Sequence, residues 1–147
     1  MLSNEAQELS ELLVANGLTI SVAESCTGGS LSRAFTSIPG ASSYFDCGYI
    51  TYSNQSKVEM LGVDIQTIKT YGAVSEEVAL EMVIGVITKS HSDVAVSITG
   101  VAGPTGGTPE KPVGTVCFGF SSDCKTSTST QLFSGDRASI VSQSVLY

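Results

Sequence analysis

The chain is poor in the residues from which most hydrolytic and nucleic-acid-binding sites are built. In 147 residues it has one histidine, His91, and two arginines, Arg33 and Arg137. Seven Lys+Arg stand against fourteen Asp+Glu, for a net charge of -7. A nucleic-acid-binding surface needs clustered cations, so direct contact with nucleic acid is not expected. One small anion held by one or two arginines remains compatible with this balance. The four cysteines, Cys26, Cys47, Cys117 and Cys124, form no C-x-x-C pair. A zinc site would need most of them to converge with His91, so no metal is expected. Reduced thiols in a cytoplasm are the simpler reading. No apolar run is long enough to span a bilayer. The opening segment "MLSNEAQELSELL" is acidic and amphipathic, with no basic n-region or cleavage-site pattern. It reads as neither a signal peptide nor a transit peptide.

What is present is enough for one core. Apolar residues make up 41% of the chain, and the length fits one domain, residues 1–147. There is no repeat and no domain-scale linker. Residues 4–16 predict a helix with Leu9, Leu12 and Leu13 on one stripe and Gly17 as C-cap. Residues 18–23 predict a short strand, 28–38 a helix, and 46–52 a second strand. Ser53 or Asn54 caps a helix ending at Gly62, and Asp64 caps a short one up to Tyr71. Ser75, Glu76 and Glu77 open a longer helix that runs to Lys89, with acids and base placed to suit its dipole. Residues 94–99 predict a strand buried on both faces. A loop rich in Gly, Pro and Thr covers 100–112. A β-hairpin follows, 113–120 and 126–133, around "SSDCK". Asp136 starts a last helix that meets the chain end at Tyr147. Strands alternating with helices before a hairpin predict an α/β sandwich, its sheet mostly parallel with at least one antiparallel strand.

Ligands of such sheets collect at the carboxyl ends of the strands. Three segments converge there: "AESCTGG" (23–29), "TYSNQSK" (51–57) and "TGVAGPTGG" (99–107). Ser25 ends a strand ahead of a predicted helix start. The backbone N–H groups of Thr27, Gly28 and Gly29 are expected to be free there, able to hold a phosphate or an oxyanion. The alternative for Ser25 is an N-cap in a plain turn. Cys26 is a rival nucleophile, although burial is the usual role of such a residue.

A nucleophilic serine needs a base. His91 falls in "TKSHSD", at the opposite edge of the sheet, so a Ser-His-Asp triad is set aside. A lysine must serve, with its pKa lowered by burial or by cationic neighbours. Lys57 is the best placed, one turn into the helix after the second strand, against the alternative of a solvated helix lysine. Tyr52 could hold its ammonium or relay a proton. Lys69, Lys89 and Lys125 read as surface lysines, and Lys111 as a binding candidate. The long glycine loop contains neither G-K-[ST] nor G-x-G-x-x-G, and reads as a ligand-binding loop. In "FSGDR", Arg137 can meet a carboxylate or phosphate bidentately, or lie on the helix surface.

At this point the sequence resembles the CinA C-terminal domain family, the nicotinamide-nucleotide amidases. The matching segments are "AESCTGG", "YITYSNQSK", "GAVSEEVALEM", "VSITGVAGPTGGTPEKPVGTV" and "FSGDR", in the family's order and spacing. The family's last helix usually runs further than Tyr147. Some members carry this domain behind another, so the chain is a stand-alone or an excised form. The resemblance implies a three-layer α/β/α sandwich with a five-stranded mixed sheet. It implies metal-free, cofactor-free hydrolysis of the carboxamide of nicotinamide mononucleotide to nicotinic acid mononucleotide and ammonia. The family's serine falls on Ser25, its lysine on Lys57 and its neighbouring tyrosine on Tyr52. The expected binding set is Thr27, Gly28 and Gly29 for the oxyanion. Thr99, Gly100 and Gly103 of the glycine loop, with Arg137, are expected to hold ribose and phosphate. A non-catalytic nucleotide- or anion-binding module is the competing expectation, and a homodimer the default assembly.

Overall fold

The computed structural model describes residues 4–147; Met1 to Ser3 of the acidic opening segment lie outside it. The described residues form six α-helices and five strands. They are α1 (Asn4–Ala15), β1 (Ile20–Glu24), α2 (Ser30–Thr36), β2 (Phe45–Ile50), α3 (Asn54–Leu61), α4 (Ile65–Tyr71), α5 (Glu76–Lys89), β3 (Val94–Gly100), β4 (Thr115–Ser122), β5 (Lys125–Leu132) and α6 (Arg137–Leu146). A 3₁₀ turn at Ala41–Ser43 precedes β2.

The strands form one sheet in the order β2-β1-β3-β4-β5. β1 pairs in parallel with β2 and β3, while the β3–β4 and β4–β5 pairings are antiparallel. The sheet is therefore mixed, and every strand except β4 runs the same way. Side chains alternate across the sheet and divide the core in two. Ile20 and Val22 of β1 and Ile98 of β3 face Leu13, Leu31, Phe35 and Ile140, from α1, α2 and α6. Ala23 and Ala95 face Leu61, Ile68, Met82 and Val86, from α3, α4 and α5. This is the three-layer sandwich that the resemblance implies.

The helix starts follow local chemistry. Ser53, Asp64, Ser75 and Asp136 each accept a backbone N–H of the following first turn with their side chains. Such caps contribute about 1 kcal/mol each. α2 is shorter than the sequence predicts because Gly28 and Gly29 both take the left-handed conformation, at φ 55° and 102°. The hairpin strands are displaced by up to two residues. Its turn is only Asp123-Cys124, both at positive φ (52° and 59°), so Ser122 pairs directly with Lys125. In α1 only one residue of the expected stripe is buried. Leu13 and Ser10 are buried, whereas Leu9 and Leu12 are exposed. Positions 10 and 13 share one helix line and positions 9 and 12 the next, about 100° round.

α5 lies close over the sheet because β4 has a glycine beneath it. A Cβ at Gly119 would come within 2.5 Å of both Ala79 O and Ser97 Oγ. Ser97 Oγ itself donates to Ala79 O at 2.6 Å. Gly119→Ala is expected to destabilise the fold by roughly 1–3 kcal/mol, through overpacking of backbone against backbone. A urea titration checks this: the midpoint falls while the slope stays the same.

Candidate active site

Strand alternation separates neighbouring residues at the end of β1. Glu24 shares the parity of Ile20 and Val22 and turns toward α2. Ser25 follows on the other side, toward α3, where Lys57 is waiting. Lys57 is 1% exposed and Ser25 8% exposed. Their side chains meet, with Lys57 Nζ 3.0 Å from Ser25 Oγ. The other neighbours of the amine are two main-chain carbonyls, Thr51 O at 3.0 Å and Tyr52 O at 3.4 Å.

All three partners are neutral oxygens, so no carboxylate among them offsets the burial of the amine. Burial disfavours the charged form and pushes the Lys57 pKa below its ordinary 10.5. A neutral amine has two N–H bonds and one lone pair. The carbonyls can only accept, so they take the two N–H groups. Nζ donates to Ser25 Oγ here, and in the neutral form its lone pair is what could take the Ser25 proton. Ser25 and Lys57, the pair expected from the sequence, are thus brought together.

Cys26 is the rival. It is buried, and burial pushes its thiol up to about 11, with a hydrogen bond from its own backbone opposing only in part. Such a thiol stays protonated at neutral pH and is a poor nucleophile.

A cleft of about 290 Å³ opens over the pair, near the lower end for small-molecule sites. Its walls come from the ends of β1 and β3, the β2–α3 turn, the α4–α5 turn (Ala73, Val74), the glycine loop and Arg137. Thr99, Gly100 and Gly103 line it as expected. Thr99 Oγ1 donates to Ala73 O at 2.9 Å, tying the end of β3 to the α4–α5 turn. A Cβ at Gly100 would lie 3.1 Å from Cys26 Sγ and 2.8 Å from Val116. A larger groove, about 350 Å³, lies between α1, α2 and α6. It is walled mostly by apolar side chains such as Leu9, Phe35 and Val145, and none of the three convergent segments places a nucleophile in it.

Two expectations are corrected by the hydrogen bonds. Of the amides of Thr27, Gly28 and Gly29, that of Gly28 is not free, and none of the three residues lines the cleft. Gly28 N–H donates to Ser25 O at 3.0 Å. The first turn of α2 is occupied from below, because the Glu24 carboxylate accepts Leu31 N–H (2.8 Å) and Ser32 N–H (2.9 Å). The residues that do line the cleft from these loops are Cys26, Ala102, Gly103, Thr105 and Gly106. The second correction concerns Tyr52. Its carbonyl, not its phenol, holds the Lys57 amine. The phenol is exposed, and its oxygen accepts from Arg137 Nη2 at 2.6 Å. Arg137 Nη1 donates to Gly103 O at 2.8 Å. One guanidinium thus ties the β2–α3 turn to the glycine loop across the cleft mouth.

The remaining candidates lie elsewhere. Lys111 Nζ binds the Tyr71 carbonyl at the end of α4, and Lys69, Lys89 and Lys125 are exposed. His91 lies beyond α5, at the amino edge of β2, where its N–H meets the Asp46 carboxylate at 3.3 Å. Among the described residues, no group of three or more His, Cys, Asp or Glu is placed to hold a metal ion. Glu24 and the α4–α5 turn join the site without having been expected there. For Glu24 a signal existed, an acid closing an apolar strand just before a helix.

The CinA C-terminal domain model matches residues 2–147. This chain belongs to the CinA C-terminal domain family. A relative in Enterobacter agglomerans, named nicotinamide-nucleotide amidohydrolase PncC, is 50% identical over 141 residues, covering 95% of this chain and 86% of that protein. A CinA-like protein of Chlorobium limicola is 54% identical over 114 residues, but these are only 27% of its length. Among solved structures, the Escherichia coli CinA superfamily protein ECK1530/EC0983 superposes with a TM-score of 0.95 at 36% identity. That match covers 99% of this chain and 85% of the other. The CinA fold accounts for the mixed sheet and for a cleft at its carboxyl edge.

If the Lys57 lone pair is the working feature, pH reveals it. The Lys57 pKa is lower folded than unfolded, so the folded protein binds fewer protons between the lowered value and 10.5. Stability therefore rises with pH across that window. Lys57→Met is expected to flatten this rise without loss of stability at neutral pH, since it relieves a buried amine. Denaturation at several pH values, compared with wild type, provides the check.

Proposed function

We propose that residues 1–147 form a single amidase domain that hydrolyses the carboxamide of nicotinamide mononucleotide, releasing ammonia and nicotinic acid mononucleotide. The observation that carries this is the buried contact between Lys57 Nζ and Ser25 Oγ, with the Thr51 and Tyr52 carbonyls as the amine's other partners. The relative's printed name supplies the substrate. The same shortage of cations that argues against nucleic acid fits a small anion met by Arg137. All four cysteines are free thiols, which supports a cytoplasmic setting. A homodimer is the default assembly.

The reaction divides into two proton-balanced halves. Ser25 Oγ attacks the amide carbon while its proton moves to Lys57 Nζ. The C=O electrons move to oxygen, which takes an N–H from the backbone facing the cleft, with Cys26 nearest to the nucleophile. In comparable sites one such donor is worth roughly 2.7–4 kcal/mol. The C–N bond then breaks, and the Lys57 ammonium gives its proton to the departing nitrogen. Ammonia leaves and an ester on Ser25 remains. Water attacks that ester and gives a proton to Lys57. Collapse expels Ser25 Oγ, which recovers the proton. Tyr52 contributes through its carbonyl on Lys57 and its phenol on Arg137. The glycine loop, with Thr99, Gly100 and Gly103, walls the ribose-phosphate end.

Wild-type protein is expected to release one ammonia per nicotinic acid mononucleotide formed, in a coupled ammonia assay. Ser25→Ala and Lys57→Ala should fold and lose this turnover. Cys26→Ala, which keeps the backbone N–H, should retain it. Binding of the nucleotide without ammonia release would instead favour the non-catalytic module. The rate should climb with pH and level off, its midpoint below the ordinary lysine value of 10.5. A pH–rate profile with no such limb would contradict the lysine base.

Tyr52→Phe deletes one of the two hydrogen bonds of Arg137 and leaves the Lys57 carbonyl in place. The expected effect is a several-fold rise in KM with kcat nearly unchanged, the mark of lost uniform binding. Steady-state kinetics on the nucleotide separate the two constants.

A further inference from the structure

Glu24 is wholly buried, at 0% exposure, and every partner of its carboxylate is a neutral donor. Oε1 accepts Leu31 N–H at 2.8 Å. Oε2 accepts Ser32 N–H at 2.9 Å and Ser32 Oγ–H at 2.7 Å. A buried carboxylate is costly unless hydrogen-bonded, and here a helix start supplies the bonds and a favourable dipole.

The unusual point is where the cap comes from. A helix is ordinarily capped by the residue just before it. Gly29 occupies that place with no side chain, in the left-handed conformation at φ 102°. Glu24, ahead of the whole turn, does the capping. The main chain leaves Glu24, makes the turn Ser25–Gly29, and returns to the carboxylate of the same residue. The turn is thereby closed at both ends, and its first residue is Ser25.

The main chain of Glu24 carries a second link. Its carbonyl accepts Thr51 N–H at 2.9 Å, and the Thr51 carbonyl takes Lys57 Nζ at 3.0 Å. Thus one residue is wired to the serine turn by its side chain and to the lysine seat by its backbone. β2 keeps room for the arrangement. A Cβ at Gly48 would come within 2.5 Å of Ser32 Oγ. Glycine in the middle of a strand is unfavourable in itself, and here it leaves space for the hydroxyl that completes the cap.

We infer that Glu24 is the positioning residue of the reaction: its carboxylate, through α2 and the closed turn, holds Ser25 Oγ within reach of Lys57 Nζ. It does not touch substrate. This rests on the amidase reading, and two readouts separate the failures. One is turnover of nicotinamide mononucleotide. The other is the labelling rate of Ser25 by a fluorophosphonate, which needs the serine–lysine pair and not the nucleotide. Absence of turnover in labelled wild type would defeat the substrate assignment alone.

The variants are Glu24→Gln, Ser32→Ala and Gly48→Ala, each checked for folding by circular dichroism and melting. Glu24→Gln presents an NH₂ to backbone N–H donors and should lower kcat about 10- to 100-fold, as displaced reacting groups do. KM should stay within about twofold, and labelling should slow in parallel. Ser32→Ala should show a smaller loss of the same kind, and Gly48→Ala, which pushes on Ser32, should copy it. Should Glu24→Gln fail to fold, the other two carry the test. Normal kcat and normal labelling in the folded variants would overturn the inference, and so would a change confined to KM.

Discussion

A lysine amine enclosed among neutral oxygens constrains everything around it. Lys57 reaches inward from the first turn of α3. In water its amine would be charged and solvated; here desolvation holds the pKa down. The Thr51 and Tyr52 carbonyls that receive the amine belong to the segment between the end of β2 and the start of α3. Ser53 then caps the helix, its Oγ accepting Ser56 N–H at 3.0 Å. The geometry of one short turn therefore decides what surrounds the Lys57 amine. A better-solvated lysine would be more stable and chemically idle, which is the usual trade between a site and its fold.

The sheet does the rest of the placing. β1 lies between β2 and β3, so three carboxyl-terminal connections meet over its end. β2 supplies the lysine turn, β1 the serine turn, and β3 the glycine loop. Because side chains alternate, Glu24 and Ser25 serve opposite layers of the sandwich. The α2 layer anchors the turn, and the α3 layer carries the base. Arg137, from the start of α6, reaches over both connections and bonds one partner in each.

Much of this was readable from residue types. The shortage of histidine forced a lysine onto any activated serine, and spacing selected Lys57. Caps at Ser53, Asp64, Ser75 and Asp136 were legible because an N-cap acts on its own next turn. The elements followed from periodicity, with errors where glycine or a two-residue hairpin turn moved a boundary. What stayed hidden is non-local. Residues 25–29 look like a helix start with free amides, and nothing in the local string says that Glu24 already occupies that start. Tyr52 sits beside the lysine in sequence, which invites a phenol relay. A strand-to-helix turn sends its carbonyl and its ring in different directions, and the ring meets Arg137, 85 positions along the chain. The half-bare stripe of α1 is the same kind of case. Leu9, Leu12 and Leu13 are all apolar, and only docking on the sheet decides which helix line is buried.

The relatives sharpen the meaning of this unit. The matching stretch is most of the Enterobacter agglomerans amidohydrolase but about a quarter of the Chlorobium limicola protein. Every group placed at the cleft here, from the serine turn to Arg137, comes from the matched stretch. The Lys57 amine is enclosed by burial and by two carbonyls of the same turn, and the Glu24 hydrogen bonds behind Ser25 close within β1 and α2. Neither device borrows a residue from outside the sandwich. A site whose electrostatics are settled by its own backbone can be carried in a longer chain without being redesigned. The physical reason is that a desolvated neutral amine depends on what immediately encloses it, and much less on charges beyond the layer that buries it.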